Sequence, residues 1–203
     1  MTLKWSRLYP ITQLSSPWVT ICCERWQNEQ GIELDYWRVE KADSVIVLSI
    51  WRHFILLPQP DFRVGINQLT DDFPGGRVLP GKTLQESAVE ILQRELGIMA
   101  EVITKINLLN QDGWVINSSF SNQKLYAFSI EINPDYFVIP AKISGYFRNN
   151  KVGITALLKR LGCLQCRAVL LEWLTNQLFE QQGLLLYIVD IQLVNLSILG
   201  TTQ

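Results

Sequence analysis

The sequence predicts an α+β fold in which a mixed β-sheet is flanked by helices. Several segments in the first two thirds of the chain have the composition and period-two alternation of strands, and three others have the caps and apolar spacing of helices. With 203 residues, of which 48% are hydrophobic and 18% charged, the chain suits one domain with a modest appendage. We expect a domain over residues 1–162 that includes the N-terminal strands. Residues 163–203 would then form a C-terminal helix and an apolar, strand-like tail, packed on that domain or on a partner.

The predicted strands form two hairpins and three further strands. Residues 18–26 and 32–39 flank the turn cluster at 28–31, which favours a first hairpin. Residues 44–50 are continuously apolar and are followed by 54–57, so we expect a second hairpin whose strands are buried on both faces. The further strands are expected at 102–109, 114–116 and 125–132.

Capping residues mark the best-defined helix. Thr83 and Glu86 have the spacing of a capping box, in which each side chain satisfies a backbone N–H of the other residue. Gly97 stands where a helix commonly ends in a left-handed glycine. We expect two more helices at 153–161 and 164–179.

Charge and hydropathy exclude some classes of partner. Lys and Arg total 18 against 19 Asp and Glu, giving a net charge of −1, so no diffuse basic field favours nucleic acid. No uninterrupted apolar stretch reaches the roughly 18 residues of a membrane helix, and residues 1–13 lack a signal-peptide core. We therefore expect a cytoplasmic protein that binds neither nucleic acid nor membrane.

Cys163 and Cys166 form a CxxC pair, which raises zinc or redox chemistry. A zinc site needs about four ligands, and the lone His53 and the adjacent Cys22 and Cys23 are awkward partners. The sequence alone therefore favours reduced thiols that pack as small apolar side chains.

Two segments separated by seven residues, GRVLPGK at 76–82 and EILQRELGI at 90–98, resemble the Nudix box, G-x5-E-x7-R-E-U-x-E-E-x-G-U with U aliphatic. The preceding FILLPQPDFR at 54–63 and DDFPGG at 71–76 are similar to the same region of ADP-ribose pyrophosphatases and nucleotide-sugar hydrolases. The resemblance spans residues 18–161. It implies a Nudix α/β/α sandwich with a mixed β-sheet between helices.

The resemblance also implies a chemistry that this box has partly lost. Nudix hydrolases bind a divalent metal, usually Mg²⁺, through the box glutamates, and the metal neutralises a diphosphate and activates water for its hydrolysis. Lys82 stands where the first glutamate is expected, and Glu95 alone remains of the ligating glutamates. The box keeps its glycines and aliphatic positions but loses most of its negative charge.

Glu95 is the candidate catalytic residue, and Glu95 with Glu90 are the candidate Mg²⁺ ligands. Cationic side chains in the box suggest that a cation takes over the neutralising role of the metal, and an aromatic face near them could stack a base. The structural alternatives are a hydrogen-bonded Glu95 and a solvated helix face carrying Glu90. The candidate substrate-binding residues are Phe62, Arg63, Gly76, Arg77, Lys82 and Arg94.

These residues lead to a principal hypothesis and two alternatives. The principal one is a Nudix-fold protein that binds a nucleoside diphosphate derivative with weak or lost pyrophosphate hydrolysis. The alternatives are an active Mg²⁺-dependent hydrolase that uses displaced carboxylates, and a non-catalytic interaction module. A homodimer is also expected, because related hydrolases dimerise through N-terminal strands and this region is rich in tryptophan at positions 5, 18, 26, 37 and 51.

Overall fold

The structure is a computed structural model that describes residues 5–179. Its helices are α1 (Leu84–Leu96), α2 (Lys151–Arg160) and α3 (residues 164–179). Its strands are β1 (Ser6–Ser15), β2 (Thr20–Gln27), β3 (Glu33–Glu40), β4 (Ser44–Trp51), β5 (Phe54–Pro58), β6 (Asp61–Arg63), β7 (Gln68–Thr70), β8 (Gly75–Arg77), β9 (Ile103–Leu108), β10 (Trp114–Val115), β11 (Lys124–Ile132) and β12 (Ile143–Arg148).

The first three strands form a separate antiparallel sheet in the order β1-β2-β3. The β2–β3 hairpin confirms the first predicted hairpin, and Cys22 lies opposite Arg38 in its register. Glu24 is buried in this sheet, where it binds the Arg38 guanidinium through both carboxylate oxygens at 2.8 and 3.0 Å. Strand β1 is not among the predicted strands, and its residues are all exposed, so no burial-driven alternation marks it in the sequence.

The central sheet has seven strands in the order β10-β11-β4-β5-β12, with β8 also paired to β4 and β9 also paired to β11. Strands β4 and β11 are parallel, whereas the other pairs are antiparallel, so the sheet is mixed as expected. The β4–β5 pairing, with Ser49 opposite Leu56, confirms the second predicted hairpin. Strand β12 is a further element that the sequence analysis does not predict.

Two hydrophobic cores lie on opposite faces of this sheet, which explains the continuous apolar run of β4. Val45 and Val47 point towards α1, where they meet Ala88, Ile91, Leu92 and Leu96. Ile46 and Leu48 point to the other face, where α2 and α3 contribute Leu157, Val169, Leu170 and Trp173. The expected α+β fold with a mixed sheet between helices is confirmed.

Helix α3 packs on the same core as α2. The proposed division of the chain at residue 162 stays a prediction, and the tail at 183–203 lies outside the described residues. Within residues 5–179, the helices are too short or too polar to cross a bilayer.

Both ends of α1 are fixed as the sequence predicts. The Thr83 hydroxyl accepts the Glu86 N–H at 3.1 Å, and a Glu86 carboxylate oxygen accepts the Thr83 N–H at 2.7 Å. Gly97 ends the helix at φ +70°, and its N–H donates to the Gln93 carbonyl. A Cβ at Gly97 would come within 2.8 Å of the Ile139 Cδ1 methyl, which could move aside, so it is the left-handed conformation that requires glycine. These caps fix where the last turn, with Arg94 and Glu95, lies against the sheet.

Removing the Thr83 cap should destabilise the protein through α1. We expect Thr83→Ala to lower the free energy of unfolding by about 1 kcal/mol, because the Glu86 N–H loses its acceptor. Thr83→Ser keeps a hydroxyl and is the matched control, with a change of a few tenths of a kcal/mol at most. Urea denaturation followed by circular dichroism measures both; equal midpoints for wild type and Thr83→Ala would contradict the cap's role.

Candidate functional site

A polar cleft of about 550 Å³ lies beside the end of α1 and the start of β8. Among residues 5–179, its charged side chains come from four separate parts of the chain and balance in number, with three cations and three carboxylates. The lining residues that matter for its chemistry are Asp61, Arg63, Asp72, Arg94, Glu95 and Lys142. The cleft therefore contains three of the predicted site residues: Arg63, Arg94 and Glu95.

Arg94 and Glu95 hold the backbone of Gly75 from both sides. The Gly75 N–H donates to Glu95 Oε2 at 3.3 Å, and Arg94 Nη2 donates to the Gly75 carbonyl at 2.9 Å. The same Nη2 atom lies 2.5 Å from Glu95 Oε1, so the two side chains also pair with each other. Glu95 thus has the structural hydrogen bonds that one of the sequence alternatives anticipates, while it still lines the cleft.

Gly76 matters because the helix passes close to its backbone. A Cβ there would lie 3.2 Å from both Arg94 Nη2 and the Ile91 side chain. A larger residue at 76 would therefore push β8 away from α1 or displace the Arg94 guanidinium. Gly76 shapes the site through this close approach.

Partial burial of Glu95 weakens it as an anion. Desolvation raises the pKa of its carboxyl group, although the hydrogen bond and charge of Arg94 and the Gly75 N–H act in the opposite direction. The side chain is only 26% exposed. Its negative charge is already shared with an arginine and an amide, so little remains to attract a second cation.

The other α1 carboxylates are also engaged. Glu90 Oε1 lies 2.6 Å from Lys82 Nζ, and Glu86 serves the helix cap. Glu90 lines a second cavity, of about 450 Å³, so Glu90 and Glu95 face different cavities. Mg²⁺ requires near-octahedral oxygen ligands at about 2.0–2.1 Å. These engaged carboxylates do not fit that requirement, and the proposed Glu90–Glu95 metal pair stays a prediction.

Arg63 and Lys142 are the two cleft cations that do not come from α1. Arg63 on β6 pairs with Asp72 at 2.8 Å and with Asp61 at 3.2 Å. Lys142 Nζ donates to the Arg94 carbonyl at 2.9 Å and, within residues 5–179, has no carboxylate within ion-pair distance. Lys142 is the cleft cation whose charge is least compensated. Lys142 belongs to no recognisable sequence motif, so its place in the cleft is apparent only in the structure.

The remaining predicted substrate-binding residues, Phe62, Gly76, Arg77 and Lys82, are not in the lining of the cleft. Phe62 is exposed on β6 next to Arg63, and Lys82 is paired with Glu90. Arg77 stacks on Trp18 at 3.9 Å and donates to the Pro17 carbonyl at 2.9 Å. Arg77, the last residue of β8, thus connects this strand to the turn between β1 and β2.

The CxxC pair lies at the start of α3 and differs from simple apolar filler. Cys166 is buried in the core, whereas Cys163 is only partly buried. A hydrogen bond from the Cys166 thiol, together with backbone N–H groups, lowers the pKa of Cys163 to about 6 despite its burial. The same interaction and burial raise the pKa of Cys166. The two thiols therefore have different chemical characters.

Comparison with known proteins shows the fold. No protein-family model and no curated protein matches the sequence. Among solved structures, the crystal structure of an ADP compounds hydrolase matches with a TM-score of 0.69 over 90% of this chain and 98% of that chain, at 18% sequence identity. The fold is Nudix-like. At this level of identity the match establishes the architecture, and function has to be argued from the site.

The opposite pKa shifts of Glu95 and Glu86 predict opposite pH effects on stability. The pKa of Glu95 is raised from its usual 4.5, so its favourable contribution is present below that value and is lost as pH rises through the folded-state pKa. The stability of Glu95→Gln relative to wild type should therefore increase as pH rises from about 4 to about 7.

Glu86 is the internal comparison, because its hydrogen bonds from the Thr83 N–H and hydroxyl lower its pKa. Its contribution is present above the unfolded-state pKa and is lost as pH falls, so Glu86→Gln should lose stability relative to wild type as pH rises over the same interval. Urea titrations at both pH values give the two differences. The same sign for both variants would contradict the assignment.

Proposed function

We propose that this protein binds a nucleoside diphosphate derivative in the cleft and hydrolyses its pyrophosphate weakly or not at all. The observation that carries the proposal is the state of Glu95: it is the one α1 carboxylate in the cleft, and both of its oxygens already have partners, Arg94 and Gly75. A Nudix-like cleft of this kind can receive an anion but lacks the clustered free carboxylates that would hold Mg²⁺.

The cations of the cleft support diphosphate as the ligand. Arg63 and Arg94 present planar guanidinium groups, which match phosphate oxygens in a bidentate geometry. Lys142 adds a charge that no carboxylate in residues 5–179 compensates. A diphosphate would exchange the carboxylate partners of the arginines for its own oxygens. Phe62 is exposed on β6 but does not line the cleft, and neighbouring residues of a strand point to opposite faces, so the proposed binding rests on the cations rather than on stacking by Phe62.

Calorimetric titration with ADP-ribose in EDTA tests binding without metal. We expect measurable heat for the wild type and about tenfold weaker affinity for Lys142→Met, a loss of about 1.4 kcal/mol. Lys159→Met, at the exposed end of α2, is the matched control and should bind as wild type does. Glu95→Gln should retain binding, because the substitution removes negative charge from the cleft. An unchanged affinity in Lys142→Met would contradict the placement of the diphosphate.

An assay of AMP release from ADP-ribose separates the two alternative functions. Mg²⁺-dependent turnover at ordinary enzymatic rates, abolished in Glu95→Gln, would establish the active hydrolase and overturn the proposal. If the protein shows neither binding heat nor turnover, the non-catalytic interaction module is the remaining function. Binding without efficient turnover is the result that we expect.

The proposal includes a cytoplasmic homodimer formed through the N-terminal sheet. β1 is an edge strand of ten residues, and its outer edge pairs with no other strand of residues 5–179, which leaves that edge for pairing with another chain. The strand also exposes Leu8, Tyr9, Ile11 and Leu14. An exposed apolar surface on an edge strand is typical of a protein–protein interface.

A charge on β1 should therefore disrupt the dimer. We expect sedimentation to give a dimer for the wild type and a monomer for Ile11→Lys, because the interface would have to bury an unpaired ammonium group. Val152→Lys replaces an exposed apolar residue on α2 and should stay dimeric. A monomeric wild type at micromolar concentration would refute the proposed interface.

A further inference from the structure

A group of potential metal ligands lies at the start of α3, next to the loop that leads into β8. The carboxylate of Asp72 and the sulfur atoms of Cys163 and Cys166 all lie within 4.8 Å of one another. Cys166 Sγ is 3.9 Å from Asp72 Oδ1. In tetrahedral zinc sites, Zn–S is about 2.3 Å and Zn–O about 2.0–2.2 Å, which separates neighbouring sulfur and oxygen ligands by about 3.5 Å. The three side chains are therefore close to the spacing that zinc requires.

We propose that Asp72, Cys163 and Cys166 bind a zinc ion. Two sulfur ligands favour zinc over Mg²⁺ or Ca²⁺, which prefer oxygen ligands. Sequence spacing alone does not reveal this site, because its third ligand is neither a histidine nor a cysteine. Asp72 is 91 positions before Cys163 and is brought there by the packing of α3 against the sheet.

The carboxylate of Asp72 is oriented by neighbours that leave one oxygen free for the metal. Asp72 Oδ2 accepts hydrogen bonds from the Thr70 hydroxyl at 2.9 Å and from Arg63 Nε at 2.9 Å. Oδ1 is the atom that faces Cys166. Ligating carboxylates in metal sites have outer partners of this kind, which fix their orientation.

A backbone N–H at Cys166 and the N-terminus of α3 at Cys163 stabilise the thiolates that zinc needs. The Phe73 N–H donates to Cys166 Sγ at 3.3 Å. Cys163 stands directly before the first turn of α3, where the positive end of the helix dipole favours a thiolate. Three protein ligands are thus held in place before any metal arrives.

A cavity beside the three side chains leaves room for a fourth ligand. Asp72, Cys163 and Cys166 line a cavity of about 610 Å³, which also receives Arg63 and Arg77. Within residues 5–179, no fourth histidine, cysteine, aspartate or glutamate joins the group, so we expect water as the fourth ligand. The bound ion would tie the loop before β8 to α3. This inference does not rest on the proposed nucleotide ligand.

Metal titration of the full chain tests the site. The protein is reduced, stripped with EDTA and titrated with Zn²⁺ against a chromophoric chelator. We expect one equivalent to bind with a Kd below about 1 µM. Co²⁺ in place of Zn²⁺ should give a thiolate-to-metal charge-transfer band and the strong visible bands of tetrahedral cobalt.

Matched variants identify the ligands. Cys163→Ser and Asp72→Asn should each weaken zinc binding by about tenfold or more, and Cys163→Ser should also reduce the charge-transfer band. Asp71→Asn, at the neighbouring carboxylate that pairs with Arg160, and Cys22→Ala, at a buried thiol of β2, should bind as wild type does. Circular dichroism establishes that each variant is folded. If Asp72→Asn does not fold, wild-type stoichiometry, the cobalt spectrum and Cys163→Ser decide the outcome.

Several results would overturn the proposal. The proposal is wrong if the reduced wild type takes up no zinc, whether or not the same chain forms a Cys163–Cys166 disulfide in air. Equal affinity in wild type and Cys163→Ser would place the metal elsewhere. Equal affinity in a folded Asp72→Asn would remove the carboxylate from the ligand set.

Discussion

The hold of α1 on Gly75 is the interaction on which the candidate site depends. Strand β8 has only three residues, and Gly75 pairs with Ile46 of β4 while Arg94 and Glu95 bind its carbonyl and N–H. Helix α1 and the central sheet are therefore joined at Gly75. The same contacts occupy the carboxylate that resembles a metal ligand and place an arginine at the cleft. The hydrogen bonds that hold β8 against α1 therefore also engage the Glu95 carboxylate.

The parts of the fold that the sequence predicts are those with a strong local signal. The capping box and the terminal glycine define α1 from residues only a few positions apart, and the apolar run of β4 marks a strand buried on both faces. β1 escapes prediction because it is exposed along its whole length. β12 escapes because a register shift between Ile143 and Gly145 interrupts its alternation and because it pairs with the distant β5.

The candidate site was predictable only where one motif carries it. Arg94 and Glu95 belong to the box, and Arg63 lies in the similar segment before it. Lys142 enters the cleft from the turn before β12, and its role follows from tertiary packing alone. Lys82 is in the motif, yet its ammonium group pairs with Glu90. The spacing of residues within the motif identifies candidate side chains. Their hydrogen-bond and ion-pair partners in the folded protein determine which of them line the cleft.

The short link between the two sheets, residues 41–43, is tightly bound on both sides. The Lys41 N–H donates to Asn122, and the Ala42 carbonyl accepts from Gln123. Asp43 accepts the Lys124 N–H through its side chain and the Val78 N–H through its carbonyl. These hydrogen bonds restrict rotation of the N-terminal sheet about residues 41–43. Because Asp43 also binds the Val78 N–H, a change in the orientation of the N-terminal sheet would disturb hydrogen bonds both to β11 and to the segment after β8.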